Sequence, residues 1–136
     1  MSIFLLSLIA AVANLIFGAL WHMPLFGRKW AHALGMSVPA NPEMKPMYIR
    51  MVINFVANYI MAFVTFLFLY NFQAGTFGQV LITLAVIFVG FNLTQLVVAN
   101  LWNGRPAKDA LKLFGISFGY QIINLFIWAL IFVWLA

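Results

Sequence analysis

Hydrophobic residues form four long runs along the chain, and three shorter segments between them hold most of the polar and charged residues. Each run has about 20 or more mostly apolar residues, the length that an α-helix needs to cross a bilayer. The pattern predicts an all-α, polytopic membrane protein with a bundle of four transmembrane helices. We place the spans of this single membrane domain, residues 1–136, at about 3–22, 47–71, 79–102 and 110–135.

The first run also has a feature of signal peptides, because Ala11-Val12-Ala13 has the small-x-small form of a cleavage site. However, the start of the chain, MSIFLL, contains no basic residue, and the apolar run continues past this site to Leu20. We therefore predict that the first run is a membrane span.

The three polar segments predict the connections between the spans. In the first, Pro24 ends the helix, and residues 26–34 can form a short interfacial helix. The segment SVPANPEMKP after it contains three prolines and predicts an extended connector. The second connection, NFQAGTFGQ, predicts a tight, uncharged turn. In the third, Gly104 and Pro106 predict a turn before the last helix.

Composition and charge also indicate a membrane protein. Hydrophobic residues make up 66% of the chain and charged residues 7%, against roughly 45–50% and 25% in soluble domains. The net charge of +5 would suit a nucleic-acid partner. However, the cations lie in short connections between apolar runs, so we predict that the protein binds no nucleic acid. The chain contains no cysteine, which excludes disulfides and thiolate chemistry.

The distribution of Lys and Arg predicts the orientation. All the cations flank the first and third connections, whereas the second connection and both termini carry none. Because cytoplasmic loops collect positive charge, we expect both termini to lie on the non-cytoplasmic side. The cations are Arg28, Lys29, Lys45, Arg50, Arg105, Lys108 and Lys112.

A layer of neutral polar residues inside the spans is the candidate site. Its members lie roughly 6–20 Å from the cytoplasmic helix ends, and helical spacing places those of each helix on one face. We expect the four faces to converge on the bundle axis, because a carboxamide that faces lipid leaves its donors and acceptors unpaired. The layer comprises Asn14, Asn54, Asn58, Asn92, Gln95, Ser117, Tyr120 and Gln121, and Asn124 continues it on the fourth helix.

Two interpretations of this layer remain open. Its side chains can form hydrogen bonds between helices, as Asn, Gln and Ser commonly do in membranes. Alternatively, they line a small solvated pocket, open to the cytoplasm, that binds or passes a small polar molecule. No Asp, Glu, Lys or Arg lies in mid-span, which argues against an ion or proton pathway.

The sequence offers little for catalysis or metal binding. The only acids are Glu43 and Asp109, and His22 and His32 have no cysteine near them. No nucleophile has an adjacent base, and the histidine spacing is a weak signal for a metal site. We therefore predict no catalytic residue, no metal, no cofactor and no enzymatic activity.

Gly115 and Gly119 form a GxxxG pair in the fourth run, on the side roughly opposite its polar stripe. Such a pair lets two helix backbones approach closely, so we expect a helix-packing face here. The neighbouring helix belongs either to another copy of the chain, in a homo-oligomer, or to the first run of the same chain.

The two basic connections resemble a known family. The run Trp21-His22-Met23-Pro24-Leu25-Phe26-Gly27, followed by Trp30 and Gly35, resembles the W-Y-x-P-x-F-G-x-x-W signature of a bacterial four-helix membrane family, domain of unknown function 1761. The later Asn103-Gly104-Arg105-Pro106, Leu111-Lys112-Leu113-Phe114 and Gly119-Tyr120 are similar to that family's E-G-R-P, L-K-L-F and G-Y-H run. His22 stands at the family's usual Tyr, and Gln121 at a frequent His.

This resemblance implies a four-helix fold in the bacterial cytoplasmic membrane and implies no reaction. The motif residues in this chain are Trp21, His22, Pro24, Phe26, Gly27, Trp30, Gly104, Arg105 and Pro106. Together with the sequence features described above, the resemblance predicts a compact, non-enzymatic bundle that acts structurally or through partners. These partners are the lipid bilayer and another copy of the chain. The alternative is a small-solute transporter or channel that uses the polar layer, whose ligand the sequence does not indicate.

Overall fold

A computed structural model of the chain describes residues 1–21, 25, 29, 32–33, 44–102 and 104–136, and for residues 44–47 it describes the backbone alone. Among these residues are four helices that are long and apolar enough to cross a membrane: α1 (Ile3–Leu20), α2 (Met44–Asn71), α3 (Phe77–Leu101) and α4 (Ala107–Leu135). The predicted all-α membrane fold with four spans is therefore confirmed. The predicted interfacial helix falls largely outside the described residues.

A tight turn joins α2 to α3. Gln73 adopts the left-handed conformation, with φ of +54°. The N–H groups of Gln73 and Ala74 donate to the carbonyl groups of Tyr70 and Leu69, both at 3.1 Å. This arrangement ends α2 and satisfies two carbonyl groups that the last helical turn otherwise leaves unpaired.

Thr76 begins α3 with a capping box. Its hydroxyl accepts a hydrogen bond from the backbone N–H of Gln79 at 3.2 Å, and Gln79 Oε1 accepts one from the backbone N–H of Thr76 at 3.3 Å. These bonds satisfy N–H groups that the first turn leaves without a helical partner. As a result α3 begins at Phe77, two residues before the start predicted from hydrophobicity.

Helix α3 is irregular in its middle. It is α-helical over Phe77–Ile87, π-helical over Phe88–Leu93 and α-helical again over Thr94–Leu101. Gly90 lies in the π-helical part, and the hydroxyl of Thr94 donates back to its carbonyl at 3.0 Å. A glycine and a back-bonded threonine both weaken the regular α-helical ladder. The wider turn changes the direction in which the residues after it point.

The helices pack in the order α2, α1, α4, α3. Helix α1 lies between α2 and α4, and α3 packs against α4 along both of its α-helical segments. Helix α2 contacts α3 mainly through the segment Phe77–Ile87, which follows the turn. Beyond that segment the described contacts between α2 and α3 are sparse, and Asn92 Nδ2 approaches Met61 Sδ at 3.9 Å.

The hydrophobic core therefore occupies the half of the bundle next to the α2–α3 turn. It is formed by Leu6, Ala10, Ala62, Phe66, Leu69, Val80, Leu84, Trp128, Ala129 and Phe132. Towards the other end, where Arg105 precedes α4 and Lys108 lies in its first turn, no residue in 48–58 of α2 or in 92–101 of α3 is buried. We call these two stretches, residues 48–58 and 92–101, the open face.

Candidate functional site

The polar residues of α1 and α4 form a buried contact between these two helices. The hydroxyl of Tyr120 donates to Asn14 Oδ1 at 2.5 Å, and Asn14 is almost fully buried. The ring of Phe17 stacks on that of Tyr120 with centroids 5.2 Å apart. A Cβ added to Gly18 would lie 3.2 Å from the Tyr120 hydroxyl, so the absence of a side chain there lets the phenol approach α1. This part of the layer links helices.

Trp21, at the end of α1, forms a second contact with α4. Its Nε1 donates to the carbonyl of Ile116 at 2.9 Å. A Cβ added to Gly119 would lie 3.1 Å from Cζ2 of this indole, whereas one added to Gly115 would meet nothing within 4 Å. At Gly119 the GxxxG face is therefore covered by α1 of the same chain.

Several buried polar atoms around these contacts have no hydrogen-bond partner among the described residues. They are Asn14 Nδ2, Gln121 Oε1, Asn124 Oδ1 and Trp128 Nε1. An unpaired buried donor or acceptor costs about 1–3 kcal/mol. Sequence reasoning did not select Trp128, because hydropathy counts an indole as apolar. Trp128 follows Asn124 by four residues and so lies on the same helical face, and this spacing could have added Trp128 to the polar layer.

The polar residues of α2 and α3 do not join this contact. Asn54 and Gln95 are exposed, and Asn58 is half-buried. Asn58 Nδ2 donates to the carbonyl oxygen and to Oδ1 of Asn54, at 2.8 and 3.1 Å, so the two amides pair along their own helix. The expected convergence of all four polar faces on one axis therefore does not hold within a single chain, because Asn54 pairs with Asn58 along α2 and Gln95 stays exposed.

A groove of about 440 Å³ lies between α2 and α3 and extends towards the open face. Asn92 lines it, and Asn92 Nδ2 lies 3.9 Å from Met61 Sδ, which is a weak hydrogen bond between the two walls. Thr65 and Trp128 also line the groove, and the rest of its surface is almost entirely apolar. Ser117 on α4 is half-buried.

The motif residues of the third connection form a helix start. Gly104 has a φ of +72°, the left-handed conformation that glycine adopts without strain. The carbonyl of Pro106 accepts hydrogen bonds from the N–H groups of Asp109 and Ala110, both at 3.0 Å, which opens α4. Arg105 is half-buried. The remaining motif residues, His22, Pro24, Phe26, Gly27 and Trp30, lie outside the described residues.

The site thus consists of carboxamides, hydroxyls and an indole, which bind by hydrogen bonds and carry no charge. No curated protein and no solved structure matches the chain. A family model does match, over residues 5–133, and its description is protein of unknown function DUF1761. This match spans all four helices and agrees with the residues of the two basic connections. The chain therefore belongs to the DUF1761 family, as an integral membrane protein.

Proposed function

We propose that this chain is a non-enzymatic membrane protein that acts through a protein partner bound on its open face. The observation that carries the proposal is the combination of two features of residues 48–58 and 92–101. No residue in these stretches is buried, and the stretches carry the exposed carboxamides of Asn54 and Gln95. Both lie within helices that are long enough to span the membrane.

Carboxamides at this depth favour a protein neighbour over lipid. Acyl chains offer neither hydrogen-bond donors nor acceptors, so an exposed amide within the bilayer loses its hydrogen bonds to water without replacement. Hydrogen bonds between Asn, Gln and Ser across membrane helices contribute roughly 0.6–2 kcal/mol each. A partner helix that supplies such bonds is therefore preferred on this side of the bundle.

The chemistry of the described side chains supports a binding role. Tyr120 is bonded to Asn14, and Trp21 is bonded to the backbone of Ile116, so these two polar groups serve contacts between helices. The layer contains no carboxylate, amine or imidazole that could transfer a proton or attack a substrate.

Site-specific photo-cross-linking in native membranes tests this proposal. A photoreactive residue at Val98, which is 52% exposed on the open face, should give one discrete protein adduct. The same group at Leu8, which is 43% exposed on α1, should label lipid only. Because the amides hold the partner, the adduct at Val98 should disappear in the double variant Asn54→Leu, Gln95→Leu. Lipid labelling alone at Val98 would contradict the proposal.

We also propose that the protein lies in the bacterial cytoplasmic membrane with both termini outside the cytoplasm. Because the chain has no cysteine, single cysteines report topology without background. A cysteine at Gly75, in the uncharged α2–α3 turn, should react with an impermeant maleimide added to intact cells. One at Lys108, at the basic start of α4, should react only after the membrane is opened. The reverse pattern would invert the orientation.

A second candidate, the transport of a small polar solute, is favoured by a different observation. Asn14 Nδ2, Gln121 Oε1 and Asn124 Oδ1 are buried without a hydrogen-bond partner among the described residues, and a polar solute could supply both donors and acceptors. A solute flux into vesicles that the Asn14→Leu variant abolishes would establish this function in place of the first.

A further inference from the structure

We infer that the partner on the open face is a second copy of this chain, in a dimer whose two-fold axis runs along the membrane normal. The inference rests on the proposed function, because it names the partner that the open face binds. Three observations support it: the depth of the exposed amides, their self-complementary chemistry, and the use of the glycine face within the chain.

The exposed amides of α2 and α3 lie at the same depth. Asn54 is six residues from the start of the apolar part of α2 at Tyr48, and Gln95 is six residues from the end of α3 at Leu101. At 1.5 Å per residue, both lie about 9 Å from the same end of the bundle. A two-fold axis along the membrane normal keeps every residue at its depth in both copies. Asn54 of one copy can therefore meet Gln95 of the other.

The hydrogen-bonding groups of the two amides are complementary. Asn54 Oδ1 accepts from Asn58 Nδ2 at 3.1 Å, which orients the Asn54 amide and leaves its own Nδ2 group to donate elsewhere. Gln95 forms no side-chain hydrogen bond with another described residue, so its oxygen is free to accept. A symmetric interface requires a surface that complements itself. Asn54 supplies a donor and Gln95 an acceptor at equal depth, so the two amides meet this requirement.

The other face that could join two copies is already in use. Trp21 covers Gly119 and donates to the carbonyl of Ile116 next to it. A partner helix could reach Gly119 only after this indole moved and its hydrogen bond broke. Residues 94–101 of α3, in contrast, include no buried residue, and their packing against α4 leaves Gln95 exposed.

Energy transfer between labelled copies in vesicles tests the inference. Full-length chain labelled at a Gly75→Cys position is reconstituted in phosphatidylethanolamine and phosphatidylglycerol, and transfer is followed as lipid is added. The parent should form dimers, and Asn54→Leu with Gln95→Leu should weaken them about tenfold or more, since two symmetry-related amide bonds are lost. The matched control is Asn71→Leu, which removes an exposed α2 amide whose Nδ2 already donates to Leu67 at 2.8 Å. This variant should dimerise with an affinity within about twofold of the parent's.

Three results of the energy-transfer experiment would overturn the dimer: no transfer above the dilution background in the parent, unchanged transfer in the amide variant, or loss of transfer in Gly115→Leu. The identity of the photo-cross-linked adduct at Val98 distinguishes failure of the dimer from failure of the proposed function. An adduct with twice the 15.4 kDa chain mass supports the dimer. An adduct with a different protein keeps the proposed function and refutes the dimer. Adducts with lipid alone refute both.

Discussion

Replacing Gly119 by leucine is expected to destabilise the folded protein by about 2–4 kcal/mol, because the new side chain must displace the indole of Trp21. The first atom of that side chain would already lie 3.1 Å from Cζ2 of Trp21, closer than two carbons normally approach. Moving the indole would also break its 2.9 Å hydrogen bond to the carbonyl of Ile116. The loss combines overpacking with the broken hydrogen bond between the Trp21 indole and the Ile116 carbonyl.

Gly115→Leu is the matched control for this variant. It places the same side chain four residues earlier on the same helix, where an added Cβ meets nothing within 4 Å. We expect its stability to stay within about 0.5 kcal/mol of the parent, because leucine is also a better helix former than glycine. Unfolding of the full-length chain in mixed micelles, followed by circular dichroism against denaturing detergent, measures both. Equal losses at the two positions would contradict the contact between Trp21 and Gly119.

The number and position of the helices could be predicted from the sequence because hydropathy and length act within each segment. A run such as residues 107–135 is helical in a membrane whatever lies beside it, since only a helix satisfies its backbone there. Local turn chemistry was equally readable at Gly104, whose φ is +72°. The predicted start of α3 was two residues too late, because hydropathy carries no information about the side-chain cap at Thr76.

The arrangement of the polar layer could be predicted only in part. Helical spacing correctly brought Asn14 and Tyr120 to facing sides of α1 and α4. Spacing specifies which residues share a face of one helix, but it does not specify which neighbour that face meets. Asn54 instead pairs with Asn58 on its own helix. The π-helical turn at Phe88–Leu93 additionally breaks the regular 3.6-residue period before Gln95.

The same limit applies to the glycine pair. Sequence reasoning identified Gly115 and Gly119 as a close-packing face and left open whether the neighbour was another copy or α1. The indole of Trp21 reaches Gly119 because the last turn of α1 ends beside it, and this position depends on the lengths of both helices. The sequence contains those lengths, but not the crossing of the helices that brings the two residues together.

The second large effect is expected at Phe66, which is fully buried in the half of the bundle next to the α2–α3 turn. Its ring packs against Trp128 and Phe132, with centroids 6.0 and 5.6 Å away. In soluble proteins Phe→Ala in a core costs about 3–5 kcal/mol. Here the unfolded helices stay in lipid, so the ring loses little by transfer, and lost packing contacts remain the main cost. We expect Phe66→Ala to destabilise the protein by about 2 kcal/mol or more.

Phe68→Ala is the control, because it removes the same ring two residues away at a position that is 44% exposed. Lipid can fill the space that this ring leaves, so we expect a loss below about 0.5 kcal/mol in the same unfolding measurement. Similar losses in both variants would show that the core is not concentrated between α2 and α4 near the turn.

If the core is concentrated there, the open face contributes little to the stability of a single chain. The Asn54→Leu, Gln95→Leu variant should then fold as stably as the parent at high dilution in lipid, and its effect on association can be read without a folding defect.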